Sequence, residues 1–262
     1  MTYPNGISGI GIPTVTRDLQ RHPNIQGAFD QGYKLEPREI NLNLYYTVAS
    51  AALADARRDA IYKIFRPFDD PLKLKITRDD SAIRQIDVHT IGMVDLPPAE
   101  RIGFDQGFTV RLLAPDPIWY EPTQYTSTTT PSGTNWTSNI AYSGNWEEYP
   151  VIRVYGLVTG FSFTMTVVTA TTSNTYQIQA SSISAGDWWE FDMRPGYKTV
   201  KDSSGVSVLG SLAEATYEAL FKMRLFPDPI EAGGVNGTGG SFTTKDANHK
   251  VVTYFYNRYL GI

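Results

Sequence analysis

The alternation of apolar and polar positions divides the chain at Phe108 to Pro122, FTVRLLAPDPIWYEP. Phe108, Val110 and Leu112 alternate with Thr109 and Arg111, the two-residue period of a strand with one buried face. Pro115, Pro117 and Pro122 then stop any ladder, because each lacks a backbone donor and fixes its own φ. Ahead of this joint, Arg38 to Val48 alternates as a strand, with Ile40, Leu42, Leu44 and Tyr46 on one face. Ser50 has the chemistry of an N-cap. The run after it sets Leu53, Ala56, Ala60, Ile61, Ile64 and Phe65 at helical spacing, and Pro67 closes it. Leu72, Leu74 and Ile76 alternate, Asp79, Asp80 and Ser81 form a turn, and residues 82–92 return, which predicts a hairpin. The first 33 residues are glycine-rich and read as arms or hairpins.

Behind the joint, short runs of period two recur at the spacing of an all-β sandwich. They are Val151 to Tyr155; Phe161, Phe163, Met165 and Val167; Tyr176, Ile178 and Ala180; Trp189, Phe191 and Met193; and Val252, Tyr254 and Tyr256. Residues 222–227 read as one more strand, and Lys201 to Gly205 as a hairpin turn. Residues 123–139 hold ten Ser or Thr in seventeen and read as an exposed tether. Residues 233–240, GGVNGTGG, read as a glycine-rich loop, and 212–221 as a helical turn or loop. The fold class is mainly β with one helix. A small α+β or barrel-like domain over 1–120 precedes a jelly-roll or lectin-type sandwich over 121–262.

Composition sharpens this division. Residues 1–120 carry 14 Lys and Arg and 15 Asp and Glu, against 9 and 12 in the longer remainder, which also holds four of the five tryptophans. The net charge of −4 and the absence of any Lys or Arg cluster argue against nucleic-acid binding. Cysteine is absent, which excludes disulfides and thiolate metal sites and suits a reducing cytoplasm. No apolar run reaches the roughly 18 residues of a membrane helix, and the N-terminus lacks the pattern of a signal peptide.

Candidate chemistry is sparse. His22, His89 and His249 lie far apart and lack metal-ligand or triad spacing. Asp79 and Asp80 suit a solvated turn. Glu147, Glu148, Asp187 and Glu190 offer carboxylate pairs of the kind a glycosidase needs, but any β-rich chain offers such pairs by chance. No catalytic, cofactor or metal residue is therefore assigned. Trp188 and Trp189 are neighbours on a strand and point to opposite faces, so one of them meets solvent or a partner. With Trp136 and Trp146 they are candidates for a subunit contact or a glycan platform. A carbohydrate-binding module is the alternative to a purely structural role, and a glycosidase using Glu147 or Asp187 with Glu190 is a third.

The order of segments resembles one family. GIGIPTV, LEPREINLNLYY, AALADARRDAIYKIFRP, PLKLKITRDDSAIRQIDV and FTVRLLAPDPIWYEP resemble the front domain of distal tail proteins of long-tailed bacteriophages. NWEEYPVIRVYG, GDWWEFDMRPGYKTVKDSSGVSVLG and VVTYFYNRYLGI resemble that family's second domain. The resemblance implies that domain 1–120 forms a homohexameric ring and that 121–262 is a galectin-like sandwich hanging outside it. It implies a structural virion component at the tail tip, made in the host cytoplasm. Its partners would be its own copies, the tail tube protein, tail-tip hub and tape-measure proteins, and receptor-binding proteins or host glycans. Neither nucleic acid nor membrane insertion enters this role.

Overall fold

A computed structural model describes residues 2–21, 26–96, 105–168, 173–212, 220–225, 227 and 236–262. Two compact units emerge: residues 1–120 together with 260–262, and residues 121–259. The sequence reading ran the second unit to residue 262. The last three residues instead belong with the first.

The first unit is an antiparallel sheet with one helix. Its strands are β1 (Thr2–Ser8), β2 (Val15–Gln20), β3 (Phe29–Leu35), β4 (Arg38–Tyr46), β5 (Leu72–Thr77), β6 (Ile83–Ile91), β7 (Gln106–Ala114) and β8 (Trp119–Tyr120). The main sheet runs β1-β4-β7-β6-β8, while β2 and β3 form a separate two-stranded sheet. Strand β6 changes partners along its length. Residues 83–88 pair with β5, and 89–91 pair with β7, so the sheet curls around its core. Ile40, Leu42, Ile86, Val88, Val110, Leu112 and Trp119 fill that core. On the outer face, Glu39 accepts from Arg111 Nε at 2.7 Å and Asn43 accepts from Thr109 Oγ1 at 2.8 Å, across one β4–β7 ladder.

Helix α1 (Ala51–Phe65) starts where expected, with Ser50 Oγ accepting from the Leu53 amide at 3.4 Å. Its buried stripe differs from the expected one. Ala54 and Ile61 are buried and Arg58 and Phe65 half-buried, whereas Leu53 and Ile64 are exposed. The stripe 54-58-61-65 is narrow, and the large side chains beside it face outward.

Arg38 is the first unit's organising residue. It occupies an inward position of β4, in phase with Ile40 and Leu42, and is almost wholly buried. Among the described residues its guanidinium meets no carboxylate. Instead it donates to the carbonyls of Pro117 and Leu260, both at 2.9 Å, of Gly9 at 2.9 Å, and of Gly11. The Trp119 ring lies 5.9 Å from it. Gly9 passes so close that a Cβ would lie 2.1 Å from Glu39 O, and its φ of +83° is the left-handed region. Arg84, also buried, donates to Gly261 O. Residues 260 and 261 thus satisfy two buried cations of the first unit.

The second unit is a two-sheet sandwich. Its strands are β9 (Tyr125–Thr129), β10 (Asn135–Ile140), β11 (Val151–Tyr155), β12 (Val158–Val168), β13 (Ser173–Ile183), β14 (Trp188–Asp192), β15 (Thr199–Asp202), β16 (Asn236–Ser241), β17 (Thr244–Lys245) and β18 (Lys250–Phe255). One sheet runs β10-β16-β12-β13, with β17 on β12; the other runs β15-β14-β11-β18-β9. Trp136, Ile140, Phe161, Phe163, Met165 and Ile178 from the first meet Ile152, Val154, Trp189, Phe191, Val251 and Phe255 from the second in one core.

Several expectations change here. The Ser/Thr-rich stretch is not a free tether, because it forms edge strands β9 and β10. Residues 236–240 are not loop: they begin β16, which lies between β10 and β12. Glycine is required there, since a Cβ on Gly240 would lie 2.3 Å from Ser162 O and 2.7 Å from Trp136 Nε1. The last strand shifts phase by one residue, with Val251 and Phe255, not Tyr254, packed into the core. Leu225 makes a single bridge to Glu148, and residues 222–227 form no longer ladder strand among those described. His22, residues 213–219 and 233–235, and the side chains of Val167 and Ala180 lie outside the described residues.

His249 is sealed in this core, with Phe242 4.8 Å and Phe161 6.5 Å from its ring. Nδ1 lies 2.6 Å from Tyr155 O, which makes Nδ1 the protonated nitrogen of the neutral ring. Burial holds its pKa below the ordinary 6.5, against the opposing pull of that hydrogen bond.

Two outcomes follow for stability. Replacing Arg38 by Ala strands carbonyls from distant segments and destabilises the first unit by about 3 kcal/mol. Hydrogen exchange resolved by segment will show faster exchange in β4 and β7 with β11 and β12 unchanged. His249 contributes fully above its ordinary pKa, and its contribution is lost as pH falls through the lower folded value. The thermal midpoint of the second unit will fall between about pH 7 and pH 5, less steeply in His249→Gln.

Candidate functional site

The described residues present surfaces and no converged catalytic cluster. No group of three or more His, Cys, Asp or Glu among them could hold a metal ion.

The most exposed feature is the β2–β3 hairpin. Val15 pairs with Leu35, Arg17 with Tyr33 and Leu19 with Asp30, so Val15, Arg17, Leu19, Tyr33 and Asp30 share one face. An Arg17–Asp30 ion pair crosses that face. Leu19, Phe29 and Tyr33 are each more than half exposed, as is Ile12 just before the hairpin. A lone two-stranded ribbon is marginal in water, and this one holds large apolar groups more than half exposed to solvent. Helix α1 is similar in kind: Leu53 and Ile64, more than half exposed, share one flank of its buried stripe, and Tyr62, partly exposed, lies on the other flank. Exposed apolar groups clustered in this way mark contact surfaces.

The four tryptophans separate into two pairs. Trp136 and Trp189 are buried in the sandwich core, Trp136 lying 5.8 Å from Phe163. Trp146 and Trp188 are half-buried. Trp188 faces outward beneath the Arg153 guanidinium, 4.4 Å from its ring centroid.

The candidate carboxylates are each tied to a neighbour. Glu190 accepts from Arg153 Nε at 2.6 Å. Glu147 pairs with Arg224 at 3.1 Å and Glu148 with Arg258 at 3.5 Å. Asp187 Oδ1 accepts from the amides of Trp188 at 2.7 Å and Ser203 at 3.2 Å. Burial opposes its charge, but these bonds prevail and hold its pKa below the ordinary carboxylate value. Asp80 Oδ1 accepts from the Ala82 amide at 3.0 Å, the turn role expected of it. His89 lies half-buried on β6, far along the chain from His249.

Arg38 carries a signal in the sequence that the apolar pattern alone does not flag: a charge in phase with the buried positions of an alternating strand. The exposed hairpin agrees with the reading of the glycine-rich opening as arms or hairpins, which left its apolar side chains unassigned to any surface.

Residues 5–112 match the family described as phage tail protein RIFT-related domain. No curated protein matches the chain by sequence. Among solved structures, the chain is similar to the Dit protein of phage SPP1, described as a paradigm of the hub adsorption apparatus in phages infecting Gram-positive bacteria. The two are 15% identical with a TM-score of 0.66, over 97% of this chain and 92% of that one. It is also similar to a chain of the phage P2 baseplate in its activated conformation with Ca, at 9% identity and a TM-score of 0.50, over 99% and 93%. The match to the phage tail domain model falls within the first unit, and the chain shares the two-domain, β-rich fold of the SPP1 Dit protein.

Proposed function

We propose that this chain, with its match to the phage tail domain and the fold it shares with SPP1 Dit, is a structural subunit of a tail-tip hub. Six copies close into a ring through the first unit, and the sandwich unit is carried by that ring. The observation that carries this reading is the solvent-exposed β2–β3 hairpin with Leu19, Phe29 and Tyr33, in the unit that matches the phage tail domain. A ring needs a heterologous interface, in which one patch of each copy meets a different patch of the next. The hairpin and the exposed flanks of α1 supply two such patches on one unit. The fold shared with a protein described as a hub of an adsorption apparatus supports the same role. Above and below the ring stand the tail tube protein and the tail-tip proteins, and the complex belongs to the virion.

The role is structural and not catalytic. It is supported by the ion pairs and amide contacts that engage Glu147, Glu148, Asp187 and Glu190. A catalytic acid or base must instead be free to reach a substrate proton.

Native mass spectrometry of the full chain is expected to show an assembly of six, and Leu19→Asp with Tyr33→Asp to shift it to monomer. Both side chains are exposed, so the thermal midpoint is expected to stay within a few degrees, roughly the effect of a surface change. A wild-type chain that remains monomeric alone and with tail tubes would refute the ring.

A further inference from the structure

The β2–β3 hairpin pairs with no other strand among those described, so the angle at which it stands is set at its root. One backbone bond closes that root, from Glu36 N to Thr14 O at 2.9 Å. Below this bond both limbs meet at Arg38. The outgoing limb runs through Pro37 into the Arg38 backbone. The incoming limb is held by the Arg38 side chain, through the carbonyls of Gly9 and Gly11.

A third segment reaches the same point. Leu260 O accepts from Arg38 Nη2 at 2.9 Å, and Gly261 O accepts from Arg84 Nη1. A Cβ on Gly261 would lie 3.4 Å from Gly11 O and 3.7 Å from Ile10 O, so this segment lies directly against the incoming limb. Both bonds use backbone carbonyls, so what they require is that the segment be present. A buried guanidinium that loses an acceptor must recover one from water or from a neighbour that moves. The strand that carries Arg38 cannot yield easily, because nine residue pairs join β4 to β7. Residues 9–14 belong to no strand and contain two glycines, so the root of the hairpin moves first.

We propose that residues 260–262 act as a strap that holds the hairpin root in the one geometry that ring closure uses. This rests on the ring proposed above, in which the hairpin is a contact patch. With the strap seated, the hairpin stands at a fixed angle. Without it the root hinges through Gly9 and Gly11, and Leu19, Phe29 and Tyr33 no longer meet the next copy in register. A chain cut short inside the sandwich unit has the hairpin but not the strap, and is kept out of the ring.

The test compares the full chain with one ending at Tyr259, which lacks both carbonyls, and one ending at Gly261, which keeps them. Segment-resolved hydrogen exchange and native mass spectrometry are read on each. In the chain ending at Tyr259, exchange over residues 9–20 and 29–36 is expected to rise roughly 10-fold or more, the effect of losing a hydrogen bond from a charged group. Strands β5, β6 and β11 are expected to be unchanged, and the six-copy assembly to be lost. The chain ending at Gly261 is expected to behave as the full chain. So is Gly261→Ala, whose methyl group fits at ordinary contact distance. Hairpin exchange that stays at the full-chain rate without residues 260–262 overturns the proposal. A rise spread evenly over β4 to β7 does so too, because the segment is then an ordinary part of the core. Faster hairpin exchange in a chain that assembles in none of its forms upholds the strap's hold on the hairpin and refutes the ring. Assembly lost at full-chain hairpin exchange leaves the ring standing and overturns the strap.

Discussion

A buried cation solvated by backbone carbonyls, with no carboxylate beside it among the described residues, sets the terms of the first unit. Stripping a guanidinium of water costs several kcal/mol unless every direction it points in finds an acceptor. Burial pushes the Arg38 pKa down, yet not far enough to matter for a group that stays protonated in proteins. Backbone carbonyls therefore supply what a carboxylate would, and they come from the opening segment, the proline joint and residue 260. Each is fixed in place by the need to solvate that one charge. The left-handed turn at Gly9, its close pass over Glu39 and the position of Trp119 all belong to the same arrangement.

The sandwich unit is built on a different constraint, the fit of aromatic bulk between two sheets. Trp136, Phe161, Phe163, Trp189 and Phe191 are all buried, and volume of that kind needs backbone nearby that takes up little room. Glycines 239 and 240 provide it by passing across Trp136 inside a sheet. The unpaired Nε1 of Trp136 shows that shape took precedence over hydrogen bonding at this point.

The two constraints explain what could be read from the chain unaided. Strands β4, β5, β6, β7, β12 and β14 were visible because their side chains alternate between core and solvent, a property each short segment displays alone. The Ser50 cap and the Asp80 turn were visible because they are local bonds within a few residues. What stayed hidden depends on distant partners. Thr126 to Thr129 carry no apolar alternation, and they form a strand only because β18 offers an edge. Asn236 to Ser241 look like a loop until Trp136 needs a thin neighbour. The candidate surfaces divide the same way: that Trp188 and Trp189 take opposite faces followed from alternation, whereas which of them is buried and the burial of Trp136 depend on segments that meet only in the fold.

Chain order has a consequence for Arg38. Residues 121–259 lie between the seventh β-strand's joint and the carbonyl of Leu260. At ribosomal speed that interval lasts on the order of ten seconds. Throughout it the emerging first unit holds a desolvating cation one acceptor short. The sandwich can fold while the earlier unit is still unsealed, so completion runs inside out: the unit translated first is the last to be finished.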